Sequence, residues 1–546
     1  MSDAIRTELA RIAAAMGAPD ATFVVERPRD NDHGDLATNL AMVLAKTRKA
    51  NPRKIAQEVI AALSLPGGLV ARTEIAGPGF INFWLAEDAL AAQLAAIIRA
   101  GADYGRSTAA GAPRRINVEF VSANPTGPLH VGHGRGAALG DAIASLLAWV
   151  GHSVTREFYI NDAGTQIDKV AASLWARVQQ AVSRPADVPE GGYHGEYLEE
   201  AAAALLAREG RAFADRPEAE ALPKCRAFVL ETQRLEQDEL LRDFGVAFDV
   251  HTSEQSLYDS GRVQKTLELL DADGLLFEHE GALWMRTSAF GDDKDRVLRK
   301  SDGSYTYLVP DIAYHVDKFA RGFDHLIDVW GADHHGYIPR MRAVLKALGH
   351  PADSFEVPLV QLVKVVRGGE EVKMSKRAGN FVTLRDLLDE VGTDAARYFF
   401  LMRRGDTPFV FDVDLAKKQT DENPVFYVQM AHARMAGIFR VAERAPESIA
   451  ERIDPAGLPA PQDAELLKLL TEFPAVVARA ASEREPHRVT AYLEELARLA
   501  HGWYHHCRVL GEAPAVEEAR LALARAAQIV LGNGLRLLGL RAPDRM

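Results

Sequence analysis

The sequence has few cysteines and no long uncharged apolar run. Cys225 and Cys507 are its two cysteines, which excludes a disulfide framework and a four-cysteine zinc site. Cysteines this few and this far apart favour a reducing, cytoplasmic setting. No uncharged apolar run reaches the roughly 18 residues of a membrane span. Residues 1–17 contain acidic side chains and predict an amphipathic helix, without the basic start and apolar stretch of a signal peptide.

An excess of positive charge is also missing. Lys and Arg number 64 against 76 Asp and Glu, so the formal net charge is −12. Residues 1–110 hold 12 acidic and 12 basic residues and residues 421–546 hold 17 and 15, so net charges of 0 and −2 leave −10 for residues 111–420. Because nucleic-acid affinity depends on local cationic surface, the near-neutral ends leave room for a large anionic partner. An ordinary acidic enzyme fits the charge equally well.

Length and patterning predict three domains. At roughly 100 to 200 residues per domain, the chain has room for about three, and its 47% hydrophobic and 26% charged residues exclude a disordered or fibrous chain. Residues 1–110 alternate between helical and extended patterns and predict a small α/β domain, with two strands at 70–76 and 80–85 separated by a Gly77-Pro78-Gly79 turn. Residues 111–420 repeat strand, Gly-rich turn and helix, which indicates a parallel sheet covered by helices, with an insertion near 182–223. Its predicted strands include 116–121 and 357–366. Residues 421–546 show helical periodicity and predict an all-helical domain.

The sharpest motif is NPTGPLHVGHGRG at residues 124–136, between a predicted strand and a predicted helix. His130 and His133 share one side of the first turn, where backbone N–H groups and the helix dipole favour a bound anion. Gly132 and Gly134 let a phosphate or a flat base approach the backbone. Two alternatives are a turn whose histidines only cap the helix and a two-histidine metal site.

A second motif, KMSK, stands at Lys373, Met374, Ser375 and Lys376, with glycines before and after it. Lysines on such a loop can close over a triphosphate and neutralise the charge that builds up during phosphoryl chemistry. Taken alone, the motif fits a solvated basic loop equally well.

Together the two motifs resemble the HIGH and KMSK signatures of the class I aminoacyl-tRNA synthetases. Their order and their separation of roughly 240 residues are consistent with two halves of one doubly wound sheet. Further motifs make the whole chain similar to the arginyl-tRNA synthetases of bacterial type. These motifs are GPGFIN at 77–82, NDAGTQ at 161–166, DGSYTYLVPD at 302–311, GADHHGY at 331–337 and NPVFYVQMAHAR at 423–434.

The resemblance implies a fold and a reaction. It implies a Rossmann-like catalytic domain, a helical anticodon-binding domain after it, and an N-terminal domain that contacts tRNA. It further implies ATP-dependent attachment of L-arginine to tRNA(Arg) through an arginyl-adenylate, with release of pyrophosphate and AMP. ATP would be a substrate with Mg²⁺, and we expect a monomer without a tightly bound cofactor, a metal site or a membrane partner.

The resemblance also assigns roles at the ATP site. His130 and His133 would stabilise the pentavalent phosphate, and Lys373 and Lys376 would hold the departing phosphates. Gly132 would lie under the adenine. The remaining residues assigned to ATP binding are Gly134, Met374 and Ser375.

An arginine pocket needs carboxylates within bidentate reach of the guanidinium and a polar or aromatic wall. By motif match, Glu254 and Asp311 would face the guanidinium with Tyr307, and Glu119 and Asn124 would hold the backbone end of the substrate. Many relatives carry Gln where this chain has His334, which leaves open how this residue contacts the substrate's carboxylate or amine.

Four of these residues have a structural alternative. Asp311 could cap a helix, and Glu254 could be a solvated loop residue. Tyr307 could be a core residue, and Glu119 could form a salt bridge within the sheet.

Two other functions compete with this one. The first is a metal-dependent hydrolase, and the second is a synthetase paralogue that binds tRNA without charging it. His334 with His335, and His505 with His506 and Cys507, suggest metal ligands. Consecutive helical residues point in different directions and cannot all meet one ion, so we expect the second group to be core or tRNA-facing surface.

Overall fold

A computed structural model of the chain describes residues 2–28, 33–108, 112–372, 382–449 and 453–546. The predicted ATP-site residues Lys373, Met374, Ser375 and Lys376 lie outside the described residues. No helix in the described ranges has both the length and the apolar character needed to cross a bilayer.

The N-terminal part is a four-stranded antiparallel sheet with helices packed on it. The strands pair in the order β1-β2-β4-β3. The two strands predicted around Gly77-Pro78-Gly79 are confirmed with the same bounds, and Gly79 takes a φ of 142° in the turn between them. The elements are α1 (Ser2–Ala15), β1 (Val25–Glu26), β2 (Leu36–Thr38), α2 (Leu40–Arg48), α3 (Pro52–Ala62), β3 (Val70–Ala76), β4 (Phe80–Leu85) and α4 (Glu87–Ala100).

The middle of the chain is built on a five-stranded parallel sheet with the strand order β13-β11-β5-β6-β7. This confirms the predicted α/β class. Its strands and the helices that follow them are β5 (Arg115–Glu119), α5 (Val131–Trp149), β6 (Ser153–Ile160), α6 (Thr165–Ala181), β7 (Val250–Ser253), α9 (Glu254–Asp259), α10 (Arg262–Ala272), α11 (Leu308–Ala320), β11 (His325–Asp328), α12 (Ile338–Ala347) and β13 (Phe355–Glu356).

Two helices, α7 (Tyr197–Glu209) and α8 (Glu218–Asp243), pack on α6 and form a separate apolar cluster with it. Helix α7 and the start of α8 lie within the stretch 182–223 that the sequence indicates as an insertion.

Small sheets surround the parallel sheet. One is the antiparallel set β8 (Leu276–His279), β9 (Ala282–Met285) and β10 (Arg296–Arg299); the others are β12 (Trp330–Gly331) with β14 (Leu359–Val360), and β15 (Val363–Arg367) with β16 (Glu370–Glu371) and β17 (Phe409–Asp412). The single strand predicted over 357–366 was wrong, because the chain changes partner at Gln361, whose N–H donates to Gly405 O at 2.8 Å.

The C-terminal part of the described chain is helical, as predicted. Trp503 is buried in it and donates to Asp463, which also pairs with Arg520. Its helices, and those that lead into it, are α13 (Leu384–Val391), α14 (Thr393–Leu401), α15 (Val413–Lys417), α16 (Pro424–Val441), α17 (Pro461–Glu483), α18 (His487–His506) and α19 (Pro514–Leu537).

Candidate active site

A cleft of about 1440 Å³ opens at the carboxyl ends of β5 and β11. These two strands are neighbours. The next strand after β5 is β6, which pairs toward one edge of the sheet, and the next strand of this sheet after β11 is β13, which pairs toward the opposite edge. Ligands of open parallel sheets bind at such a switch point. Eight of the residues predicted for the site line the cleft: Glu119, Asn124, His130, Gly132, His133, Tyr307, Asp311 and His334.

The two histidines of the first motif stack on each other at the start of α5, with ring centroids 3.7 Å apart. His130 Nδ1 accepts from the N–H groups of Gly132 at 3.0 Å and His133 at 3.3 Å, and His133 Nδ1 accepts from His130 N–H at 3.3 Å. Both histidines therefore cap the start of α5 through Nδ1. An Nδ1 that accepts carries no proton, so each neutral ring has its proton on Nε2 and can donate from there.

Both histidines are neutral at physiological pH. Burial and the neighbouring His130 lower the pKa of His133 to about 3, and burial lowers the pKa of His130. The site thus offers an anion two N–H donors at a helix N-terminus, without a formal positive charge from the rings.

The two glycines of this motif lie in different surroundings. Gly132 lines the cleft. Gly134 faces the core instead, where a Cβ would come within 2.5 Å of Leu384. The structure therefore does not bring Gly134 to the cleft, because the side of the helix that carries it packs on α13 and α14.

The start of α5 is also joined to the chain that follows the second motif. Val131 N–H donates to Val382 O at 3.2 Å, and Leu384 N–H donates to Leu129 O at 2.8 Å. Backbone hydrogen bonds therefore hold residue 382, the first described residue after the KMSK segment, beside the histidine pair.

Glu119 ends β5 beneath the cleft and forms a salt bridge with a lysine of α11, not within the sheet. Its Oε2 lies 2.5 Å from Lys318 Nζ, which also contacts Asp328 at 2.9 Å. Lys318 is fully buried; burial alone would lower its pKa, but the two carboxylates raise it overall. One buried cation thus lies between the carboxylates that end two adjacent strands.

The chain turns sharply after Glu119. Val121 and Ser122 have φ values of 68° and 40°, which is a strained conformation for a β-branched residue such as Val121. Ser122 Oγ donates to Glu119 at 2.8 Å and accepts from Tyr159 N–H at 3.1 Å. This turn ends the strand two residues before its predicted end and directs the chain toward His130.

Asp311 lies inside α11 and is not its N-cap, so the capping alternative for Asp311 was wrong. Its carboxylate accepts from the Tyr337 hydroxyl at 2.6 Å, and burial raises its pKa. Tyr307, one helical turn earlier, is 71% exposed, which excludes the core alternative.

Glu254 is the first residue of α9 and is only 6% exposed, so it is not a solvated loop residue. Asn161, with its amide nitrogen turned toward acceptors, donates to Glu254 Oε2 at 3.0 Å. Asp162 accepts from Ser253 Oγ at 2.7 Å and Gln255 N–H at 3.0 Å, the residues on either side of Glu254. Burial and then Asp311 raise the pKa of Glu254 to about 7. Glu254 does not itself line the cleft, whereas its partner Asn161 does.

Two further candidates, Asn124 and His334, line the cleft. Asn124 donates to Gln166 at 2.7 Å, and the His334 side chain is 66% exposed at the cleft mouth. His505 and His506 are exposed and Cys507 is buried. In the described part of the chain, no group of three or more His, Cys, Asp or Glu is placed to hold a metal ion.

Sequence reasoning missed three residues of the site. Lys318 falls on the same face of α11 as Asp311, a spacing that could have indicated it. Tyr337 lies in the GADHHGY motif and Asp162 in the NDAGTQ motif, but neither motif by itself reveals which side chain it contacts.

Family models match three successive parts of the chain. Residues 1–85 match the arginyl tRNA synthetase N-terminal domain, residues 93–433 the catalytic domain of class I tRNA synthetases (R), and residues 428–546 the DALR anticodon binding domain.

Relatives match over nearly the whole length. Arginine–tRNA ligase 1 of Halalkalibacterium halodurans is 48% identical over 553 residues, which cover 100% of this chain and 99% of that protein. Arginine–tRNA ligase of Desulforudis audaxviator is 50% identical over 527 residues, which cover 96% of this chain and 93% of that protein. The arginyl-tRNA synthetase structure from Thermus thermophilus has 25% identity and a TM-score of 0.80, with 100% of both chains covered.

The strand order of the parallel sheet and the histidine pair at its switch point, together with the catalytic-domain match, define a class I aminoacyl-tRNA synthetase. Within that class, the chain belongs to the arginyl-tRNA synthetase family.

Proposed function

We propose that this chain is an enzyme that attaches L-arginine to tRNA(Arg) through an arginyl-adenylate and releases pyrophosphate and AMP. The layout of the cleft carries the proposal. One part has two imidazole N–H donors at a helix N-terminus, which suit phosphates; another has the carboxylate of Asp311, which suits a guanidinium. The carboxylate of Glu254 lies next to this part, hydrogen-bonded to the lining residue Asn161. The shared family with arginine–tRNA ligases supports it.

In the first step, the arginine carboxylate attacks the α-phosphorus of ATP and pyrophosphate leaves. His130 and His133 donate from Nε2 to the oxygens of the pentavalent phosphate. Because their Nδ1 hydrogen bonds already orient both rings, these donors need little reorganisation as charge develops. Lys373 and Lys376 hold the departing phosphates, and Met374 and Ser375 border the nucleotide; this part of the proposal rests on family resemblance. No covalent enzyme intermediate is required.

The substrate arginine lies across the floor of the cleft. Glu254 and Asp311 pair with its guanidinium beside Tyr307, and Glu119 and Asn124 hold its α-amino end. Lys318 neutralises part of the charge at Glu119 and fixes the orientation of that carboxylate. In the second step, the arginyl group passes to the terminal adenosine of the tRNA.

The proposal also covers the remaining substrate contacts, the tRNA-binding domains and the oligomeric state. ATP enters as its Mg²⁺ complex and Gly132 lies under the adenine. His334 contacts the carboxylate or amine of the substrate. Residues 1–110 and 421–546 bind the tRNA on either side of a catalytic domain at 111–420. The enzyme acts as a monomer in the cytoplasm, which gel filtration would test by elution at about 59.7 kDa.

One experiment tests the reaction and its substrate together. The protein is incubated with ATP, Mg²⁺, bulk tRNA and each amino acid separately, and the tRNA-linked amino acid is measured. We expect arginine alone to become linked to tRNA. Another amino acid on the tRNA would contradict the assigned pocket, and adenylate formation without transfer would contradict the overall reaction.

A further inference from the structure

Arg135 follows the histidine motif and is buried against backbone carbonyls. It is 1% exposed. Its Nη1 donates to Gln361 O at 2.9 Å and Thr407 O at 2.8 Å, and its Nη2 donates to Arg404 O at 2.8 Å. Burial lowers the pKa of Arg135 to about 10 although the nearby carboxylate of Asp406 opposes this shift, so the guanidinium stays charged at neutral pH. Burying a guanidinium costs free energy, which these hydrogen bonds must offset.

The three carbonyls belong to segments that are joined to each other. Gln361 precedes β15, and Arg404 and Thr407 lie in the turn between α14 and β17. The strands β15 and β17 pair in parallel, and Gln361 N–H donates to Gly405 O at 2.8 Å. Arg135 therefore attaches the edge of this small sheet to the helix that begins with His130 and His133.

The same edge forms one wall of the cleft. Gln361 and Leu362 line it together with Gly132 and Gly136, two glycines of the same motif as Arg135. Leu362 is 81% exposed, so its apolar side chain faces the open cleft. The position of this wall relative to Gly132 depends on the guanidinium that holds the Gln361 carbonyl.

We propose that Arg135 is a positioning residue for the nucleotide: it sets the distance between the Gln361–Leu362 wall and the glycines of the first motif, and so shapes the ATP subsite. The inference rests on the proposed function. A planar guanidinium can reach three carbonyls at once, whereas a lysine ammonium of the same charge cannot reproduce that fork. Arginine binding, which depends on Glu254 and Asp311, does not involve this wall.

Arg397 provides a matched control. It is 0% exposed and donates to Leu538 O and Phe244 O, and it pairs with Asp141 on the same helix α5. None of these partners lines the cleft. Replacing either arginine by lysine perturbs an equally buried site, but only one of them borders the nucleotide.

The test compares Arg135→Lys and Arg397→Lys with the unchanged protein. ATP affinity is measured by calorimetry, KM for ATP and arginine by ATP–pyrophosphate exchange in the presence of tRNA, and folding by thermal denaturation. For Arg135→Lys we expect ATP Kd and KM to rise roughly tenfold while arginine KM changes less than about twofold. For Arg397→Lys we expect a lower Tm with the ratio of the two KM values unchanged.

Equal rises in both KM values for Arg135→Lys, or a fall in Tm alone, would overturn the inference. The same rise in ATP Kd for Arg397→Lys would show a general effect of disturbing α5 and would also overturn it. Since ATP binding is measured without amino acid or tRNA, a chain that fails to charge tRNA with arginine would refute the proposed function and still leave the Arg135 result readable.

Discussion

Glu254 is a buried carboxyl group next to the cleft-lining residue Asn161. Burial and the neighbouring Asp311 raise its pKa to about 7, so at lower pH it carries a proton in the empty site. A guanidinium binds the ionised form, and arginine must then displace that proton. Affinity for arginine should therefore fall with decreasing pH, by up to roughly tenfold per pH unit below the pKa.

The pH dependence of arginine KM between about pH 8 and about pH 6 measures this effect. Glu254→Gln removes the titrating group, so its weaker arginine binding should be nearly flat over the same range. If the variant keeps the slope of the unchanged protein, another group causes the pH dependence.

Asp311 should distinguish arginine from ATP. Asp311→Asn removes one of the two charges proposed to face the guanidinium, which should raise arginine KM by roughly thirtyfold or more, corresponding to about 2 kcal/mol. ATP KM should change little, because the phosphate-binding histidines are not involved. Tyr337→Phe is the control: it removes the hydroxyl that donates to Asp311 but keeps the carboxylate, and its effect should be smaller. Equal rises in both KM values for Asp311→Asn would indicate a folding defect.

At the scale of elements, α5 packs very closely on the chain that leaves β5. A Cβ at Gly140 would lie 2.2 Å from Phe120 Cγ, and both residues are buried. Gly140→Ala should therefore lower the free energy of unfolding by roughly 1–3 kcal/mol, measured by urea denaturation. Gly502→Ala in α18 meets no heavy atom within 4 Å and should instead stabilise by about 0.5–1 kcal/mol. If Gly140→Ala also raised the free energy of unfolding, helix propensity would outweigh packing at Gly140.

Local sequence patterns predict some strands of this fold correctly and others incorrectly. The hairpin of β3 and β4 was predicted with its correct bounds, because alternation and the Gly-Pro-Gly turn lie within a few residues of each other. The strand predicted over 357–366 was interrupted by Gln361, whose N–H bonds to Gly405 rather than continuing one ladder. A partner more than forty residues away leaves no periodic signal in the strand itself.

At the scale of the whole molecule, the N-terminal sheet is joined to helix α17 through a partly buried ion pair. Lys468 Nζ lies 2.5 Å from Asp35 Oδ1, and Asp35 also accepts from Leu85 N–H at 2.7 Å. Lys468→Met would leave Asp35, whose side chain is only 7% exposed, without its cation. We expect a loss of roughly 1–3 kcal/mol in unfolding free energy and faster hydrogen exchange at the Leu85 amide.

Lys417→Met is the matched control for this junction. Its ion pair with Glu390 joins side chains that are 50% and 27% exposed, so its loss should cost less than about 0.5 kcal/mol. Equal losses for the two variants would show that Lys468 acts as an ordinary surface charge.

The sequence by itself determined what depends on neighbours along the chain. Two histidines three apart at a helix start must share a turn, and the motifs identified the family before any contact was known. Only the tertiary structure decided which distant groups meet: Lys318 contacts Glu119 across 199 positions, and Arg135 reaches carbonyls 226, 269 and 272 positions away. The physical reason is that a buried charge takes its partner from whatever the packing of strands and helices places beside it, and sequence spacing does not encode that choice.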